Sequence, residues 1–263
     1  MIDNPYFILL ETATDSCSAA LSCGDKIISQ KYICTPKAHA VKLAPFVEEL
    51  LQENGLTIKD IAAVGVSEGP GSYTGLRVGT SLAKGICFGA EIPLIAVGTL
   101  DVIAQVAIDN NQYGLFSASR QRICNGSTCE PAAANCADAT SNGKCYIVPM
   151  IDAGRMEVYT AVFNSRGERL TNVEAKILDE NSFAKELAEK PVLFTGNGAA
   201  KFRPLVEGNK NALFAEDLPH ASGLRVAVYN KFIAGKKEDT AYFQPFYLKE
   251  FVAGKPKNLL EME

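Results

Sequence analysis

Residues 68–89 read EGPGSYTGLRVGTSLAKGICFG and place six glycines behind the apolar run IAAVGVS. A strand, a glycine-rich loop and a helix, in that order, can bind phosphate at the helix N-terminus. A Walker A loop needs G-x4-G-K-[ST]. Gly69 and Gly75 are six apart and Leu76-Arg77 follows, so that motif is absent. The dinucleotide fingerprint G-x-G-x-x-G would start at Gly69, but Thr74 stands at its last glycine. The acidic residue that should end the next strand is also missing, because Glu91 precedes that strand. The two histidines, His39 and His220, fall on different predicted helices, and Leu43 occupies the place of a second ligand at i+4 from His39. Ser72 lies in GPGSYTG and not in a G-x-S-x-G elbow, and no histidine or acid partner is evident. No catalytic, cofactor-binding or metal-binding residue is therefore assigned.

The eight cysteines form two groups. Cys17, Cys23, Cys34 and Cys87 lie in or beside predicted strands and helices and read as free thiols. Cys124, Cys129, Cys136 and Cys145 share a segment rich in Ser, Asn, Ala and Gly that reads as a long loop. Their spacings match no zinc template. A plain surface loop, a disulfide-linked loop and a metal site stay open. The net charge of −4 and the lack of a dense Lys/Arg cluster argue against a strong independent nucleic-acid surface. The N-terminal MIDNPYFILLETATDS lacks a basic n-region and reads as a first strand. No apolar run reaches the roughly 20 residues of a membrane span. The expectation is a soluble cytoplasmic protein with no membrane contact.

The elements that would position these residues repeat. YFILLETAT, CSAALSC and KIISQKYI read as three strands, with a Gly-Asp turn between the second and third. Thr35 and Pro36 read as the start of a helix through Leu51, interrupted by Pro45 and stopped at Gly55. The strand IAAVGVS, a helix from about Gly75 to Phe88, the strand IPLIAVG and the helix TLDVIAQVAID follow. The second half gives CYIVPMIDAG, RMEVYTAVFNS and ERLTNVEAKIL as strands, then a helix capped by Asp179 or Asn181. After it come the strand PVLFTG, a short helix, the weak strand ALFAED and a helix capped by Ser222. Two βββαβαβα units predict an internally duplicated α/β protein. Its lobes are residues 1–109 and 145–263, joined by an atypical Cys-bearing inserted loop at 110–144.

Two such units are the pattern of the sugar-kinase, Hsp70 and actin group, which binds ATP between its halves. The first turn of that group carries Asp-x-Gly, with glycine where phosphate approaches. Here the matching residues are Glu11-Thr12-Ala13, a degraded phosphate turn. ILLETATDSCSAAL, VSEGPGSYTGLRVGTSLAKGI, PLIAVGTLDVIA and IDAGRMEVYTAVF closely resemble the bacterial TsaB family, also called YeaZ. TGNGAAKF and FQPFYLKE are similar to weaker family features. Asp152-Ala153-Gly154 departs from the family's usual Asp-Ala-Arg, although Arg155 is adjacent.

The resemblance implies an actin-like, two-lobed fold and a role in making N6-threonylcarbamoyladenosine at position 37 of tRNAs that read codons starting with A. In that system TsaD holds a metal through His-x3-His and transfers the threonylcarbamoyl group from its adenylate. TsaE is an ATPase, and TsaB is the non-catalytic partner of TsaD. ATP and metal are then expected in the partner subunits, and tRNA is reached mainly through the complex. A small-molecule kinase of the same superfamily is the alternative, and a peptidase-like protein a weaker one. The stripe Gly75, Leu76, Gly79, Leu82, Ala83 and Ile86 on the glycine-rich helix has two readings. It packs on the protein's own sheet, or receives a helix of TsaD or of a second copy of this chain, and both can hold because a helix covering a sheet still has another face.

Overall fold

The computed structural model describes residues 4–35, 38–111, 113–115 and 145–249. The first lobe contains β1 (Tyr6–Glu11), β2 (Ser16–Cys23), β3 (Lys26–Cys34), α1 (His39–Glu53), β4 (Ile61–Gly69), α2 (Tyr73–Ala90), β5 (Leu94–Gly98) and α3 (Thr99–Asn110). The second contains β6 (Tyr146–Asp152), β7 (Glu157–Thr160), β8 (Phe163–Asn164), β9 (Glu174–Ile177), α4 (Ala184–Glu189), β10 (Val192–Thr195), β11 (Ala212–Phe214) and α5 (Arg225–Ile233).

The sheet orders are β3-β2-β1-β4-β5 and, in the second lobe, β9-β7-β6-β10-β11. In both, the first three strands pair antiparallel and the last two add in parallel. The duplication expected from element order is thus a duplication of topology. The second copy is reduced where α2 stands in the first. There it has only 3-10 turns at Ala199–Lys201 and Arg203–Val206.

Strand patterning explains the layers. Ile8 and Leu10 of β1 face a core shared with α1 and α2, including Leu43, Leu50, Ala83 and Cys87. Phe7 and Leu9 face the opposite side, against Val102 of α3 and Leu224 and Val228. Leu100, Ile103, Ala104 and Ala107 of α3 pack against the second sheet. Helix α3 therefore lies between the lobes with apolar contacts on both sides. Helix α5, from the second half of the chain, covers the first sheet. The boundary at 145 separates the strands of the two lobes but not their helices. Asp109 of α3 holds Arg225 of α5 through a buried two-point contact, with Arg225 Nη2 at 2.7 Å from Asp109 Oδ1.

Several local expectations change. Helix α1 begins at His39 without a side-chain cap and not at Thr35. Strand β3 stays paired through Cys34, so the chain needs further residues to reach the sheet face. Pro36 lies outside the described residues. Pro45 sits inside α1, which runs on to Glu53. Gly55 has φ +64°, and the Leu56 N–H reaches the Leu51 carbonyl at 2.9 Å, as a helix stop requires. Neither Asp179 nor Asn181 caps α4. Asp179 accepts from Ser182 and Asn181 in a preceding turn, and Phe183 takes φ +60° while its ring packs between Phe194 and Phe202. Ser222 lies within a 3-10 turn, Ala221–Leu224, where its carbonyl accepts from Arg225. Of the loop cysteines, Cys124, Cys129 and Cys136 lie outside the described residues. Cys145, immediately before β6, is a buried free thiol in the core of the second lobe.

Candidate functional site

The glycine-rich segment is a socket for two other stretches of backbone. A Cβ on Gly71 would stand 2.3 Å from the Ala13 carbonyl oxygen, and one on Gly75 would stand 2.1 Å from that of Thr12. At Gly79 it would meet the Thr12 hydroxyl at 2.3 Å. Gly69, at φ +115°, admits the Phe246 carbonyl oxygen, which would lie 2.4 Å from its Cβ. The Phe246 N–H donates to the Glu68 carbonyl at 2.6 Å. The β1–β2 turn thus seats in the first turns of α2, and the C-terminal segment seats in the loop before it. Ser72 caps α2 by accepting from Gly75 N–H at 3.2 Å, while its own N–H donates to the Ala13 carbonyl at 2.7 Å.

Gly75, Leu76, Gly79 and Ala83 are buried inside the chain, and Leu82 and Ile86 are half-buried against the same core. At Gly75 and Gly79 that face is taken by Thr12 of the same chain. The outer ridge of α2 is a different set: Arg77, Ser81, Gly85, Phe88 and Gly89. Phe88 is 84% exposed, and open space surrounds Gly85 and Gly89. Val41 on the adjoining α1 is 69% exposed. Lys84 ties the ridge to the C-terminal segment by donating to the carbonyls of Ala241 and Phe243, and Tyr242 between them is exposed. Phe88 belongs to the glycine-rich segment, and its outward direction follows from the helix phase set by Thr12 against Gly75 and Gly79.

The β1–β2 turn is filled from within. Ala13 is buried, its carbonyl is bound by Ser72, and its N–H donates to Glu11 Oε1 at 2.6 Å. Ser67 also donates to Glu11 Oε1, at 2.9 Å. Burial pushes the Glu11 carboxyl up to about 7 against these stabilising hydrogen bonds. The Ala13 N–H and the space beside it, against Gly71, are taken up by the chain itself. The equivalent turn of the second lobe is more open. Asp152 there accepts from Gly154 N–H and Lys201, and its own N–H donates to Asn197.

His39 and His220 are not brought together. His39 Nε2 contacts the Thr14 carbonyl at 2.9 Å, and His220 packs edge-on against Tyr32. Burial lowers the pKa of His220. Leu43 is a core residue of α1. Among the described residues no cluster of three or more His, Cys, Asp or Glu side chains is placed to hold a metal ion. None of their helices is long and apolar enough to cross a membrane.

Two lobes of one strand order, with helices between and around them, define an actin-like ATPase fold. Residues 28–258 match the family model described as TsaD, tRNA N6-adenosine threonylcarbamoyltransferase. The tRNA threonylcarbamoyladenosine biosynthesis protein TsaB of Escherichia coli (strain K12) is 34% identical over 131 residues, 45% of this chain and 56% of that one. Its namesake in Bacillus subtilis (strain 168) is 26% identical over 206 residues, 76% of this chain and 74% of that one. The chain spans about half the length of the first curated relatives it matches. The solved structure of YeaZ from Pseudomonas aeruginosa superposes with a TM-score of 0.71 at 21% identity, over 93% of this chain and 100% of that one. The chain belongs to the threonylcarbamoyltransferase family, in its TsaB/YeaZ branch.

Proposed function

We propose that this chain is a non-catalytic partner subunit in the synthesis of tRNA threonylcarbamoyladenosine. It assembles with a TsaD-type transferase and a TsaE-type ATPase. The complex moves the threonylcarbamoyl group from threonylcarbamoyl-AMP to N6 of adenosine 37 in tRNAs reading codons that start with A. The chain's kinship with tRNA threonylcarbamoyladenosine biosynthesis proteins supports the process. The observation that carries the accessory role is the internally filled β1–β2 turn, with Ala13 seated against Gly71 and its N–H held by Glu11. ATP and metal then belong to the partners, and tRNA binds mainly to the assembled complex.

The outer ridge of α2 around Phe88 is the proposed contact for the transferase, with a second copy of this chain as its alternative occupant. An exposed aromatic side chain beside unobstructed glycines allows close approach of another helix. Co-expression with the TsaD-type subunit and size-exclusion chromatography test this assignment. Co-elution is expected for the wild type and its loss for Phe88→Asp, with unchanged thermal melting. Co-elution of a folded Phe88→Asp variant at wild-type affinity would remove this ridge from the interface. Saturable binding of Mg-ATP by the isolated chain at low micromolar concentration would contradict the non-catalytic reading.

A further inference from the structure

Glu11 ends β1 with its side chain fully buried. One oxygen, Oε1, accepts from Ala13 N–H and from Ser67, and the Thr12 backbone N–H adds a weaker stabilising contact to the carboxyl. The other, Oε2, is equally enclosed and has no hydrogen-bond partner among the described residues. Among the described residues no cation acts on the carboxyl, and the titratable His39 of α1 reaches the same turn at the Thr14 carbonyl, 2.9 Å from its Nε2. Strand β4 presents the Ser67 hydroxyl. From β2, Ser18 stands opposite in register and Cys17 contributes a thiol pushed up to about 11, by burial first and then by Glu11. The turn Ala221–Leu224 carries no titratable side chain. On α3, Asp101 faces Arg169 and Asp109 is held by Arg225 of α5. On the α2 side, the socket residues nearest the turn are Gly71, Ser72, Gly75 and Gly79, none of them charged.

An ionised carboxylate with a bare buried oxygen and no cation is costly, whereas the neutral acid is tolerated. The same carboxyl holds a peptide that is also held at its other end. Ala13 N–H goes to Glu11, and Ala13 C=O goes to Ser72 N–H at the start of α2. We propose that Glu11 is a proton-operated latch on the joint between the β1–β2 turn and the N-terminus of α2. The joint is closed when the carboxyl is protonated. It loosens when the proton leaves to solvent and water enters to hydrate Oε2. The raised pKa of Glu11, about 7, sets the change near neutrality. The latch is a property of the isolated chain and does not depend on the identity of any partner.

Hydrogen exchange of the isolated protein at pH 6.0 and 8.5, corrected for the intrinsic pH dependence of exchange, tests it. In the wild type the protection of amides in 11–16 and 71–79 is expected to fall roughly tenfold on going to the higher pH. In Glu11→Gln it is expected to be the same at both. A wild type with unchanged protection, or an equal fall in Glu11→Gln, would overturn the latch. If Glu11→Gln does not fold, carboxyl-carbon NMR of the wild type labelled at glutamate decides instead. Because burial also raises Glu68, the signal must be assigned: titration of the Glu11 carboxyl near 7 supports the proposal, and its titration in the ordinary range contradicts it.

Discussion

Alanine at two glycines of α2 should change stability in opposite directions. A Cβ on Gly75 would stand 2.1 Å from the Thr12 carbonyl oxygen, whereas real Cβ atoms do not approach within 3.0 Å. The turn and the helix would have to separate by about 1 Å, which also stretches the bond between Ser72 N–H and Ala13 C=O. Overpacking of this kind costs about 1–3 kcal/mol. A weakened backbone hydrogen bond adds about 1 kcal/mol. Alanine returns about 1 kcal/mol of helix propensity. Gly75→Ala is therefore expected to destabilise by about 2 kcal/mol. Gly85 has open space around it, so Gly85→Ala keeps the propensity gain alone, about 1 kcal/mol. For a chain of this size, 1 kcal/mol moves the melting temperature by roughly 2–4 °C. Thermal melting by circular dichroism, with urea titration as a check, should place Gly75→Ala roughly 4–8 °C below wild type and Gly85→Ala slightly above it. A Gly75→Ala protein that melts at or above wild type would refute the socket.

Glu11 makes stability depend on pH. Its folded pKa, about 7, lies above the ordinary 4.5, so between these values the folded state holds the extra proton. Its contribution is fully present below 4.5, declines as pH rises to about 7 and is then flat. At about 1.4 kcal/mol per pH unit this amounts to roughly 3 kcal/mol. Urea titrations at pH 5 and 8 should show this decline in the wild type and its absence in Glu11→Gln. Arg225→Ala should cost about 3–5 kcal/mol, because it strands Asp109 in a buried site. A loss below 1 kcal/mol by urea titration would contradict that account. Phe88→Asp should leave the melting temperature within about 2 °C of wild type, since the ring is almost wholly exposed.

The duplicated architecture was readable because strand patterning is local. The buried run Tyr6–Glu11 and its counterpart Tyr146–Asp152 each open a unit of the same order. Gly55 was readable as a helix stop because its left-handed conformation is set within a few residues. Thr35, Asp179 and Ser222 misled as caps because distant contacts move the helix starts. Strand pairing holds the chain to Cys34, the ring of Phe183 enters the core, and Arg225 engages Asp109. The small stripe on α2 was visible, but its occupant was not. Thr12, which fills it at Gly75 and Gly79, comes from a remote part of the chain, and no local pattern announces it. Glu11 was legible only as a departure from a phosphate turn. Its burial and unpartnered oxygen exist only after β1, β2 and β4 have paired.

The most direct measurement is reconstituted modification of adenosine 37. Purified TsaD-type and TsaE-type subunits, threonylcarbamoyl-AMP, ATP and an unmodified tRNA reading codons that start with A would be combined with and without this chain. Modified nucleoside would be quantified by mass spectrometry. Formation of threonylcarbamoyladenosine is expected to require this chain and to be lost with folded Phe88→Asp. Equal modification in its presence and absence would contradict the assignment.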